Sequence, residues 1–261
     1  MSAARTVVVH RDADLLAQAV AARLVTRLVD AQATRGHAHA VLTGGTIGIA
    51  ALAALAATPA RDAIDWTRLD VWWGDERFLP AGHADRNETQ ARAALLDAVP
   101  LPPSRVHPMP SPDGPAGADV DAAAAGYAAE LAAACRPEER AGVPGFDVLM
   151  LGMGPDGHVA SLFPEHAGVH VDDRLVVGVH GSPKPPPTRI SLTFPALNAA
   201  REVWLIVAGA DKAPAVAMAL SDAGPYAIPA AGVSGTSRTL WLLDRAAAAG
   251  IPTAITRIAS P

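Results

Sequence analysis

Lysine is nearly absent: of the 21 basic residues only Lys184 and Lys212 are lysines. Cysteine is scarcer still, since Cys135 stands alone and excludes an internal disulfide. A lone cysteine in an Ala-rich helical run suits a reducing compartment and reads as a small buried hydrophobe. No long apolar run is present. The longest near-apolar helical stretch, Ile47 to Ala57, falls short of the ~20 residues that span a bilayer. Arg5, Arg11, Asp12 and Asp14 surround the short Val7–Val9 run, so no signal peptide is expected and a cytoplasmic location is. The net charge of −5 argues against a general nucleic-acid surface, and an anionic ligand would have to be met by local basic groups. No internal repeat is evident. There is no Gly-x-Ser-x-Gly elbow to support a serine-nucleophile esterase. His37 and His39 flank a strand start, and His166 and His170 lack the glutamate of a zinc-binding helix; no metal site is expected.

What is present is the composition of a globular α/β protein: 261 residues, half of them hydrophobic and 18% charged. The pattern predicts one domain over residues 1–261, with short apolar strands alternating with helices. Strands are expected at Thr6–Val9, Ala40–Thr43, Leu69–Trp73, Phe146–Leu151, Leu175–Val179, Ile190–Phe194, Val203–Ala208 and Thr239–Leu243. Asp12 is placed to cap the first helix, Asn87-Glu88-Thr89-Gln90 has the spacing of a capping box opening a helix to about Val99, and Asp119 to Arg136 reads as an Ala-rich helix. Residues 100–117, rich in Pro, Gly and Ser, read as a surface crossover or a linker.

The central stretch runs from Phe146 to Leu151 and then Gly152-Met153-Gly154-Pro155-Asp156-Gly157-His158. Its apolar run is a buried strand broken by a glycine–proline turn. Parallel α/β sheets bind ligands where their strands end, and this turn delivers Asp156 and His158 there. Three other stretches end strands in a similar way. Thr43-Gly44-Gly45-Thr46 precedes a helix, as an anion-binding turn or an ordinary βα turn does. Asp75-Glu76-Arg77 crowds three charges at a strand end, as either a site or a solvated ion pair. Ser182-Pro183-Lys184-Pro185-Pro186-Pro187-Thr188-Arg189 predicts a stiff extended segment holding Lys184 and Arg189 at a fixed separation; taken alone it also fits a ligand for a proline-recognising domain. Lys212 falls in the first turn of a helix from about Asp211 to Leu220, where a ligand contact, a structural carboxylate contact and a solvated lysine are all consistent with the sequence.

Together, in this order, these blocks resemble the 6-phosphogluconolactonase family, whose Asp-Gly-His motif continues here as Val159-Ala160-Ser161-Leu162-Phe163-Pro164. The glucosamine-6-phosphate deaminases share the Gly-Gly and Asp-Gly-His blocks but continue into an Asn-Glu-Pro-like segment. The resemblance implies a Rossmann-like, mostly parallel sheet flanked by helices, of the type shared by lactonases, deaminases and ribose-phosphate isomerases. It implies hydrolysis of 6-phospho-D-glucono-1,5-lactone without a cofactor. His158 is then the general base, with Asp156 and Asp75 as supporting carboxylates, and Thr43, Gly44, Gly45, Thr46, Arg77, Lys184 and Arg189 hold the substrate and its phosphate. The expected partner is a small sugar-phosphate lactone, with neither nucleic acid nor membrane, and the expected state is a monomer or weak homo-oligomer. A deaminase and a non-catalytic sugar-phosphate sensor are the competing readings; the sensor would bring a basic DNA-binding segment that the chain does not display.

Overall fold

The computed structural model describes residues 5–136, 139, 141–221, 223–252 and 255–259. Strand β1 (Arg5–His10) leads into α1 (Ala13–Arg35), whose first turn is capped by Asp12 accepting from the Leu15 N–H. β2 (Ala38–Leu42) leads into α2 (Gly45–Ala57), and β3 (Leu69–Trp73) into β4 (Asp75–Arg77). Then come α3 (Asn87–Ala94), α4 (Val120–Ala134), β5 (Val148–Leu151), β6 (Val176–Val179), β7 (Arg189–Leu192) and α5 (Phe194–Leu197). The described chain closes with β8 (Glu202–Val207), α6 (Ala213–Leu220), β9 (Arg238–Asp244) and β10 (Thr256–Ile258).

Seven strands form one parallel sheet in the order β10-β1-β9-β8-β5-β2-β3. Strands buried on both faces read as near-continuous apolar runs, any polar member being paired, as Glu202 is with Arg27 and the Trp204 indole. β5, β8 and β2 accordingly read Val-Leu-Met-Leu, Glu-Val-Trp-Leu-Ile-Val and Ala-His-Ala-Val-Leu, with every residue buried. Trp72, Trp73, Trp204 and Trp241 fill the space around the sheet as its largest fully buried side chains. The architecture is the expected Rossmann-like parallel sheet flanked by helices, and the adjacency of β2, β5 and β8 brings the turns that follow these three strands to one edge, where such sheets bind ligands. Among the described residues no helix is long and apolar enough to cross a membrane.

Four expectations need correction. Asp75-Glu76-Arg77 is a strand of its own: β4 pairs antiparallel with β7 in a second sheet, ordered β4-β7-β6. The sequence could not reveal this, because three residues are too few for a periodicity. Asn87 does not cap α3. Arg86 occupies the cap position without a side-chain bond, and the helix stops at Ala94. Its N-terminal N–H groups go instead to the Glu76 carboxylate, from Asn87 at 2.7 Å and Glu88 at 2.9 Å. The proline block is not extended, since the Ser182 N–H reaches back to the Pro187 carbonyl at 2.8 Å and closes a loop. Lys212 lies ahead of α6, in a 3-10 turn, because Pro214 sits in the first turn of the helix.

Candidate active site

The Asp-Gly-His turn follows β5 directly. Gly157 has φ +81°, a left-handed conformation that glycine adopts without strain, and this reversal folds Asp156 and His158 back onto each other. His158 Nδ1 lies 2.6 Å from Asp156 Oδ1. An ionised carboxylate only accepts, so the shared proton sits on Nδ1 and Nε2 carries the free lone pair. The Lys184 ammonium donates to the same Asp156 oxygen at 3.1 Å and lies 3.2 Å from Nδ1. Burial works to raise the Asp156 carboxyl, but the hydrogen bonds and charges of His158 and Lys184 outweigh it and hold the group well below the usual carboxylate range. Gly154 makes this packing possible: a Cβ there would lie 2.1 Å from the imidazole. The ring also packs, tilted, on Phe163, 4.6 Å between centroids.

His158, Gly154 and Lys184 line a cleft of about 750 Å³ at the C-terminal ends of the parallel strands, while Asp156 reaches it only through its bonds to His158 and Lys184. Of the residues singled out in the sequence, Thr43, Gly44, Gly45, Thr46, Asp75, Arg77, His158, Lys184 and Arg189 all border it. Thr43 Oγ1 accepts the Gly152 N–H at 3.2 Å and so joins the β2 turn to the β5 turn. Gly44 and Gly45 open α2, whose first N–H groups and positive dipole end face the cavity. Gly45 has φ +77°.

Asp75 and Arg189 reach the cleft from the second sheet. Along β4 the side chains alternate, so Asp75 and Arg77 share a face while Glu76 turns toward α3. Burial pushes the Glu76 carboxyl up to about 7, against the pull of Arg86 and of the backbone N–H groups it caps. Asp75 accepts from Ser161 Oγ at 2.7 Å and from Asn87 Nδ2 at 3.3 Å. The Arg189 guanidinium is buried. Its Nε donates to the Pro186 carbonyl at 3.1 Å, and Nη2 donates to the carbonyls of Lys184 and Pro185 at 3.1 and 2.9 Å. Burial lowers its pKa against the opposing attraction of Asp75. Nη1 is the nitrogen turned toward Asp75, donating to Ser161 Oγ at 3.5 Å and lying 4.0 Å from Asp75 Oδ2. It is therefore this fork of hydrogen bonds, and not an extended backbone, that fixes Lys184 relative to Arg189. Arg77 is more open and donates to the Asp85 carbonyl at 2.5 Å.

Both lysines of the chain line this one cleft, Lys212 paired with Asp211. Asn87 and Ser161 also belong to the site, and neither was assigned to it from sequence. Asn87 matched a helix-capping pattern that explained it locally, and Ser161 stood too close to His158 to be taken as a partner. Among the described residues no group of three or more His, Cys, Asp or Glu side chains is arranged to hold a metal ion.

A family model described as glucosamine-6-phosphate isomerases/6-phosphogluconolactonase matches residues 11–241. A Streptomyces coelicolor protein named 6-phosphogluconolactonase is 67% identical to this chain, over 97% of each. A Mycobacterium tuberculosis protein of the same name is 51% identical, over 92% of this chain and 96% of its own length. The solved structure of 6-phosphogluconolactonase from Trypanosoma brucei aligns with a TM-score of 0.83 at 27% identity, covering 96% of this chain and all of that one. A monomeric glucosamine-6-phosphate deaminase aligns at 0.73 with 16% identity, over 92% of this chain and 98% of its own, a likeness of fold alone. A match of this length and identity makes the chain a member of the glucosamine-6-phosphate isomerase/6-phosphogluconolactonase family.

Proposed function

We propose that this protein hydrolyses 6-phospho-D-glucono-1,5-lactone to 6-phospho-D-gluconate, the second step of the oxidative pentose phosphate pathway. The observation that carries the reading is the 2.6 Å bond from His158 Nδ1 to Asp156, which leaves Nε2 as a base on a cleft bordered by arginine and lysine. Nε2 takes a proton from water as the water oxygen adds to the lactone carbonyl carbon. The tetrahedral adduct then collapses, the bond from that carbon to the ring oxygen breaks, and Nε2–H returns its proton to the departing oxygen. Asp156 holds the tautomer and balances the imidazolium charge, and Lys184 keeps Asp156 ionised. Asp75 supports the pair from the facing wall.

The phosphate dianion is met by Lys184, Arg189 and Arg77, and by the N–H groups at Thr43, Gly44, Gly45 and Thr46 where α2 begins. An ester carbonyl is already electrophilic, so this scheme calls for no cofactor. The working unit in this proposal is a single lactonase domain over residues 1–261, cytoplasmic, and a monomer or weak homo-oligomer.

The deaminase reading would have to shuttle protons between adjacent carbons of an amino sugar. Ser161-Leu162-Phe163-Pro164 after the motif favours the lactonase instead. The two are separated by product analysis. Freshly generated lactone should yield 6-phosphogluconate faster than spontaneous opening allows, while glucosamine 6-phosphate should release no ammonia. The reverse pair of results would replace the lactonase by the deaminase.

A further inference from the structure

We infer that Ser161 and Asn87 are positioning residues for the His158–Asp156 pair, acting through Asp75 as the hub of a buried hydrogen-bond relay. The inference deepens the lactonase reading and rests on it.

Ser161 is fully buried three residues beyond His158. Its Oγ donates to Asp75 Oδ2 at 2.7 Å, and its backbone N–H donates to Ser191 Oγ at 3.1 Å. Asp75 and Ser191 face each other in the register of β4 and β7, so one serine is pinned to both members of a strand pair. Between His158 and Ser161 the chain passes through Ala160 at φ +50°, a conformation that L residues avoid and surrounding contacts must impose. Upstream, the turn is closed by the Gly154 N–H to the His158 carbonyl at 3.0 Å. Downstream, Ser161 is the polar anchor, two residues before Phe163, on which the imidazole rests.

Asp75 has both carboxylate oxygens engaged, Oδ2 by Ser161 and Oδ1 by Asn87, whose Nδ2 also donates to the Asp75 carbonyl at 2.9 Å. A carboxylate with both oxygens bonded in this way is held in place as an anchor. Asn87 is held in turn by its own N–H on Glu76. Its Oδ1 is buried without a hydrogen-bond partner, against Gly44, where an added Cβ would come within 1.9 Å. The amide is therefore wedged between the Asp75 wall and the Thr-Gly-Gly turn. Neither Ser161 nor Asn87 has a bond to His158 or Asp156; their influence passes through backbone placement.

The test compares wild type, Ser161→Ala, Asn87→Ala and the double variant in lactone hydrolysis. His158 ring resonances are followed in parallel by NMR. Each single variant should lose roughly ten- to a hundredfold in kcat, the effect expected of a misplacement approaching 1 Å, with KM within about threefold. The double variant should be little worse than the poorer single, because both act through one carboxylate. The Asp156-bonded Nδ1 proton of His158 should shift in each. Unchanged kcat in both singles, a rise in KM alone, or losses that multiply would each overturn the relay. Should Ser161→Ala fail to fold, Asn87→Ala carries the same test from the other side of Asp75. If the wild type does not accelerate lactone opening, the lactonase reading fails; the His158 resonances then decide the relay alone, a shift upholding it and no shift ending it.

Discussion

Replacing Gly154 by alanine should lower kcat by about a hundredfold while lowering Tm by no more than a few degrees. The added Cβ would lie 2.1 Å from both Nδ1 and Cε1 of His158 and 2.4 Å from Asp156 Oδ1. An ordinary van der Waals contact begins near 3.4 Å, so the ring has to withdraw by about 1.3 Å. The hydrogen bond it would lose is only 2.6 Å long. Displacements near 1 Å cost on the order of 10²-fold in rate when they disturb reacting groups. Stability should fall much less: Gly154 lies outside the left-handed region, and Lys184 still pairs with Asp156 when the His158 bond is lost. Initial rates of lactone opening at saturating substrate, corrected for the spontaneous reaction, would be set beside thermal melts. Gly126→Ala in α4, where the new methyl meets open space, is the control and should keep full activity. Wild-type turnover in Gly154→Ala would refute the reasoning, and so would a rate loss matched by a fall in Tm of many degrees.

Arg189→Ala should raise KM by roughly ten- to a hundredfold, since a cation facing the cleft and three carbonyl contacts in the loop that carries Lys184 disappear together. It should also lower Tm by a few degrees, with Arg189→Lys restoring the charge but not the fork; kinetics with unchanged KM would contradict this. Far from the cleft, His107 stacks on Trp72 and joins Asp70 through Nε2 to Glu130 through Nδ1. Burial lowers its pKa, but the two carboxylates outweigh this and push it up to about 9. A raised folded pKa means that the stabilisation is fully present below the unfolded value of roughly 6.5 and is lost as pH rises through about 9. Melting curves between pH 6 and 10 should fall more steeply for wild type than for His107→Gln, and parallel curves would disprove the link.

The parallel strands were legible because a strand buried on both faces is written largely in apolar residues. Leu69–Trp73 was bounded to the residue, and Asp12 was a recognisable helix cap. Asp156 and His158 were legible as a motif at a strand end, but not as a bonded pair, since the spacing alone does not say whether the two side chains meet. Long-range partners were not. The Glu76 carboxylate caps a helix that begins eleven residues later, so the local pattern assigned capping to Asn87 and hid its bond to Asp75. Proline stiffness was read as extension, whereas the carbonyls of that block turn inward to an arginine three to five residues on. The pairing of β10 with β1 joins residues near opposite ends of the chain, and no local signal marks it.

The central claim is that His158, held by Asp156, opens the lactone. It is tested most directly by proton release on adding freshly generated 6-phosphoglucono-1,5-lactone to wild type and to His158→Asn, with spontaneous opening subtracted and folding checked by thermal melts. The account predicts a large enzymatic rate that drops by roughly 10²- to 10⁴-fold in a folded His158→Asn. A folded His158→Asn that keeps the wild-type rate, or a wild type that releases protons no faster than buffer, would contradict it.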